Sequence, residues 1–194
     1  MHEDTSFTRL VSLACHDLRT PLATVNGFAR TLERVEVLEP PADRYLEMIL
    51  QATDQLAELI DELTLAARIE GGRYEPAVQE VDSLELARGA AARLGEDRVR
   101  VEGSGAPVRV DPLPTERGVS ALVQSALRHG GLDEVTVRVR GPELEVTPIT
   151  ESSARVVLAR DLRDLGAAVA VKLLAALDGE VSVEDATLRI SLPS

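Results

Sequence analysis

LACHDLRTPLATVNGF, residues 13–28, sets a histidine beside an acid, then an arginine, a threonine and a proline, all inside an apolar helical pattern. Leu18, Leu22, Val25, Ala29 and Leu32 recur there at spacings of four and three, and so do Leu46, Ile49, Thr53, Leu56, Ile60, Leu63 and Ala67 further on. That spacing belongs to the seams of coiled coils and helix bundles. Between the two runs lies EPPAD, residues 39–43, whose Pro40 and Pro41 end one helix and precede the next. Residues 8–70 thus read as an antiparallel helical hairpin. Two helices with narrow seams bury little by themselves, so a dimeric four-helix bundle is expected. The alternative is a hairpin that packs on the rest of its own chain.

The first seam runs back through Val11, Ala14, Leu18 and Leu22. His16 lies about 200° around the helix from Ala14 and from Leu18, so it should face away from the bundle. An exposed histidine is ordinarily just a surface residue, but the neighbours of His16 set it apart. Thr20, at i+4, shares its face. Asp17 is close enough to orient the imidazole or take its proton. Pro21 has no N–H, so the carbonyl of Asp17 loses its helical partner. An interior proline costs about 3 kcal/mol, and local violations of this kind tend to mark functional sites. Alternatively, Pro21 opens a separate helix with Thr20 as its cap. A neutral imidazole is nucleophilic near neutral pH. With a carboxylate to fix its tautomer and a hydroxyl to place a water, this cluster suits phosphoryl acceptance and hydrolysis. Cys15 diverges by about 100° from His16, so the two form no dyad. Three histidines (His2, His16, His129) and one cysteine argue against a structural zinc site.

The 194-residue length fits one large or two small domains. Aromatics are only 2%, so the core must be built from Leu, Val, Ile and Ala. A net charge of -12 argues against nucleic acid and against an anionic membrane surface. Cys15 alone permits no internal disulfide, which is compatible with a reducing compartment. No apolar run approaches the roughly 20 residues that span a bilayer, and MHEDTSFTRL lacks the pattern of a signal peptide. A soluble, cytoplasmic protein is expected.

After EGGRYEP the periodicity changes, and residues 71–79 read as a linker between a hairpin at 1–70 and a second domain at 80–194. VDSLELARGAAARLG (81–95) and PTERGVSALVQSALRHG (114–130) read as helices. RVRVEG and PVRV read as strands, and EVTVRVRGPELEVTPI as a hairpin around Gly141-Pro142. Residues 153–179 read as helix with a break near Asp164–Gly166, followed by two closing strands. The whole is an α+β chain: a helical hairpin, then an α/β sandwich on a mixed sheet.

FTRLVSLACHDLRTPLATVNGFARTL resembles the H-box of bacterial sensor histidine kinases, with His16-Asp17-Leu18-Arg19-Thr20-Pro21-Leu22 as the core match. The resemblance implies that His16 is the phospho-acceptor, Asp17 its acid/base partner and Thr20 part of a phosphatase motif, with Arg19 and Pro21 supporting. It implies a homodimeric bundle followed by the family's Bergerat-like ATPase sandwich. In that second region the layout is kept and the nucleotide residues are not. Aligned on Asp111-Pro112 and Ala126, the magnesium-holding asparagine is Ser125 and the earlier asparagine is Ala121; Arg128 and His129 replace lysine and tyrosine. VTPITESSAR has neither the adenine-reading aspartate nor its glycines, and the last glycine-rich turn keeps only Gly166. Serine is a poorer magnesium ligand, and without glycines the backbone cannot approach phosphate closely. No nucleotide, metal or other cofactor is therefore expected.

What the resemblance then implies is a histidine phosphotransferase of a phosphorelay. It would accept phosphate on His16 from a receiver-domain aspartate and pass it to a response regulator. The expected partners are response regulator receiver domains, an upstream histidine kinase or hybrid kinase, and a second copy of the chain. Neither nucleic acid nor membrane is among them. By family analogy, Arg9, Arg19, Val25 and Leu65 lie near the docking zone. A divergent active kinase, a non-catalytic adaptor and a dedicated phosphatase using Thr20 are the other readings.

Overall fold

The computed structural model describes residues 3–35, 40–95 and 97–194, in two compact units, Met1–Tyr74 and Glu75–Ser194. His2, Glu39 of EPPAD and the side chain of Arg9 lie outside the described residues.

The first unit is a hairpin of α1 (Glu3–Val35) and α2 (Ala42–Glu70). Pro21 sits inside α1, which runs through it as one helix, so Thr20 does not cap a second one. The seam between the helices is shifted from the one expected. Ala14 and Leu18 are exposed, and Cys15, Leu22 and Ala29 face inward. On α2 the buried residues are Leu50 and a line of Leu46, Thr53, Ile60 and Ala67. Each line repeats every seven residues, the heptad period. The other half of each expected seam (Leu18, Val25 and Leu32 on α1; Ile49, Leu56 and Leu63 on α2) stays exposed. One hairpin gives each helix one neighbour, so only half of a two-sided seam is used within the chain.

The second unit holds β1 (Gln79–Asp82), α3 (Ser83–Ala92), β2 (Val99–Gly105), β3 (Pro107–Val110), α4 (Pro112–Gly130), β4 (Val135–Gly141), β5 (Glu143–Thr147), α5 (Glu151–Val157), α6 (Leu165–Ala176), β6 (Glu180–Glu184) and β7 (Thr187–Ser191). A five-stranded sheet has the order β2-β4-β5-β7-β6, with β2 and β4 parallel and the other pairs antiparallel. β1 and β3 form a separate antiparallel pair. Val135, Val137 and Val139 of β4, with Leu144, Val146, Leu188 and Ile190, alternate into the core, where the helices cover them.

Sequence reading missed β1. Val81 and Asp82 were expected to open a helix; they end a strand instead, and the carboxylate of Asp82 caps α3 by accepting from the N–H groups of Leu84 and Glu85. The helix expected over 153–179 is two helices. Thr150 caps α5 in a reciprocal pair with Ser153, and Asp164 caps α6 by accepting from Ala167 N–H. The break therefore covers residues 158–164, ahead of the Asp164–Gly166 position expected for it.

Candidate functional site

His16 projects from α1 with 78% of its side chain exposed. Its Nδ1 lies 3.2 Å from Oδ1 of Asp17. A carboxylate only accepts, so in the neutral ring this contact selects the tautomer with the proton on Nδ1 and the lone pair on Nε2, toward solvent. Asp17 is equally open, at 70%. Thr20 is exposed one turn further along the same face. Its carbonyl accepts from the hydroxyl of Thr24 at 3.0 Å. Pro21 offers no N–H to the carbonyl of Asp17. The structure thus brings His16, Asp17 and Thr20 together on one open face, beside a turn that lacks one backbone bond.

Arg19 turns away from that face toward α2. One Nη2 donates to Oδ1 of Asp61 and to Oγ1 of Thr64, each at 3.0 Å. The Thr64 hydroxyl in turn donates to the carbonyl of the buried Ile60 at 2.7 Å. Asp61 and Thr64 were not singled out from the sequence. Their signal there was faint: a polar pair three residues apart, each directly after a seam position, Ile60 and Leu63. Of the other docking-zone residues named by analogy, Val25 is exposed and Leu65 is half-buried.

In the second unit, Ser125 lies on α4 with no exposed surface, and its hydroxyl finds no hydrogen-bond partner among the described residues. Ala121 is half-buried one turn earlier, and Gly166 is half-buried in the first turn of α6. Nε2 of His129 lies 3.2 Å from Oδ2 of Asp164, whose other oxygen caps α6. Where the adenine-reading motif and its glycines are sought, the α5 cap stands instead: Thr150, Ser152 and Ser153 share hydroxyl hydrogen bonds, and Ser152 also donates to the carbonyl of His129. No group of three or more His, Cys, Asp or Glu side chains suited to a metal converges among the described residues. None of the described helices is long and apolar enough to cross a membrane.

The described residues thus combine an exposed imidazole on a helical hairpin with an α/β unit built on a five-stranded sheet. Residues 8–72 match the family described as the His Kinase A (phospho-acceptor) domain. The chain is 32% identical over 133 residues to Sensor protein KdpD of Mycobacterium tuberculosis, covering 62% of this chain and 15% of that protein. It is 28% identical over 175 residues to Histidine protein kinase DivJ of Caulobacter vibrioides, covering 81% of this chain and 28% of that one. Its fold is that of full-length ShkA solved in complex with AMPPNP, at TM-score 0.69 and 18% identity over 95% of this chain and 45% of that chain. The histidine kinase AdeS of Acinetobacter baumannii is also similar, at TM-score 0.58 and 18% identity, covering 92% and 97% of the two chains. Residues 8–72 are thus a hairpin of the His Kinase A family, and the chain as a whole is similar to sensor histidine kinases.

Proposed function

We propose that this chain is a histidine phosphotransferase that works without nucleotide, in the cytoplasm and as a homodimer. The observation that carries this is the His16–Asp17 pair: an open Nε2 lone pair on a ring whose other nitrogen is held by a carboxylate. In the forward step Nε2 attacks the phosphorus of a receiver-domain aspartyl phosphate. The N–P bond forms as the P–O bond to the aspartate breaks, and that carboxylate leaves with the electron pair. Asp17 stabilises the positive charge that develops on the ring, or takes the Nδ1 proton. The reverse sequence charges a second receiver. Thr20, on the same face, is placed to orient a water for hydrolysis.

The second unit supports the nucleotide-free part. A magnesium ligand has to reach the metal, and Ser125 is wholly buried and of the wrong chemistry. The segment that replaces the adenine-reading motif is taken up by the α5 cap. The donors present do not fit a magnesium nucleotide, and no step is routed through one. The exposed heptad lines of both helices support the homodimer, because a second copy would complete the unused half of each seam.

The test is relay in vitro. Wild-type chain should carry phosphate from a phosphorylated receiver domain to a second receiver, and His16→Gln should carry none. Relay through His16→Gln would end the proposal. An ATP-using kinase remains the competing reading, favoured by the DivJ match across 81% of the chain; saturable ATP binding with acid-labile label on His16 would select it.

A further inference from the structure

Three residues of α1, spaced seven apart, tie it to the returning half of the hairpin: Ser12, Arg19 and Asn26. Ser12 accepts from Nη2 of Arg73 at 3.3 Å. Arg19 donates to Asp61 and Thr64. Asn26 Nδ2 donates to Oγ1 of Thr53 at 2.8 Å and to Oδ1 of Asp54 at 3.0 Å. Together they form a polar rail along one side of the apolar seam. The Asn26 rung includes the buried Thr53 and lies beyond the proline, where backbone bonding is regular.

The Arg19 rung differs. It lies at i+3 from His16, within the turn from Asp17 to Pro21, where the proline deletes a backbone hydrogen bond. A turn short of one bond is free to tilt, and His16 and Asp17 tilt with it. Arg19 links that turn to Asp61 and, through Thr64, to the backbone at the buried Ile60. Both partners of the ion pair are about half exposed, at 44% and 52%, so it adds little to stability. Its chemistry suits geometry better: one guanidinium held by two acceptors from a second helix. We propose that Asp61, assisted by Thr64, is a positioning residue for His16, and that it acts through Arg19 to fix the aim of the imidazole. The kinetic consequence rests on the phosphotransfer reading above; the geometric one does not.

The experiment compares wild type, Asp61→Asn, and Asn26→Ala as a rung of the same rail remote from the proline. It uses full-length, isotope-labelled chain. The first readout is the ring-nitrogen resonances of His16, assigned by their loss in His16→Gln. Asp61→Asn should shift or broaden them and Asn26→Ala should leave them unchanged; equal spectra for both variants would overturn the proposal. The second readout is transfer from a phosphorylated receiver that charges wild type. Asp61→Asn should lower the maximal rate ~10-fold with KM within ~2-fold, while Asn26→Ala keeps the wild-type rate. A rise in KM alone would make Asp61 a docking residue and would also overturn the proposal. If no receiver charges wild type, the relay reading fails while the ring spectra still decide the clamp. If Asp61→Asn loses its helical signal, Thr64→Val carries both readouts, with the same direction expected and the same outcomes decisive.

Discussion

At the scale of the residue, the chemistry is concentrated in two adjacent side chains. Asp17 stands against Nδ1 of His16, which leaves Nε2 as the proposed nucleophile. Positioned acid–base groups contribute on the order of 10²–10⁴-fold to a rate. Asp17→Asn keeps an acceptor for Nδ1 and loses the charge, so transfer into and out of His16 should slow by about 10²-fold. Rapid-quench measurement of phosphohistidine formation checks this; an unchanged rate would reduce Asp17 to a neighbour. These residues were legible in the sequence because the signal was local. A histidine off the seam and a proline within a helical pattern need only the helix period to be read. Asp61 and Thr64 were not legible, because their role depends on a contact across 42 to 45 residues of chain. Spacing within one helix says nothing of which turn of another lies opposite.

At the scale of the element, Pro21 removes a backbone hydrogen bond from α1 beside His16. Its deletion should stiffen the helix. Pro21→Ala restores an N–H for the carbonyl of Asp17 and removes an interior cost of about 3 kcal/mol. The freer unfolded chain gives back about 1 kcal/mol. Chemical denaturation should therefore show a gain of about 2 kcal/mol, and a loss of stability would mean that the turn is not strained by the proline. The helices themselves were readable from their heptads, yet their faces were not. Cys15 is buried where Ala14 and Leu18 were expected, because one heptad pattern holds two contact lines and a sequence does not say which partner each meets. In the second unit β1 was missed because four residues with mostly exposed side chains carry no alternation. Their pairing with β3 is what makes them a strand.

At the scale of the whole molecule, the hairpin leaves Leu18 at 53% and Leu56 at 50% exposure. Apolar lines of this length on both helices suit a second copy better than water. Leu56→Asp should convert the dimer to monomer in light scattering, while a dimer that survives it would place the interface elsewhere. The solvent face of the second unit's sheet is of the opposite kind. Glu102, Arg138, Glu145 and Arg189 stand in register on four neighbouring strands with alternating charge, and ion pairs join Arg138 to Glu102 and Arg189 to Glu145. The central claim is that His16 takes phosphate from a protein and not from a nucleotide. The most direct measurement offers the purified, folded chain two labelled donors in parallel, magnesium ATP labelled at the γ-phosphate and phosphorylated receiver domains, with His16→Gln beside it. The account predicts acid-labile label from a receiver only, and only on the chain that keeps His16. Label from ATP on His16, or none from any receiver, would contradict it.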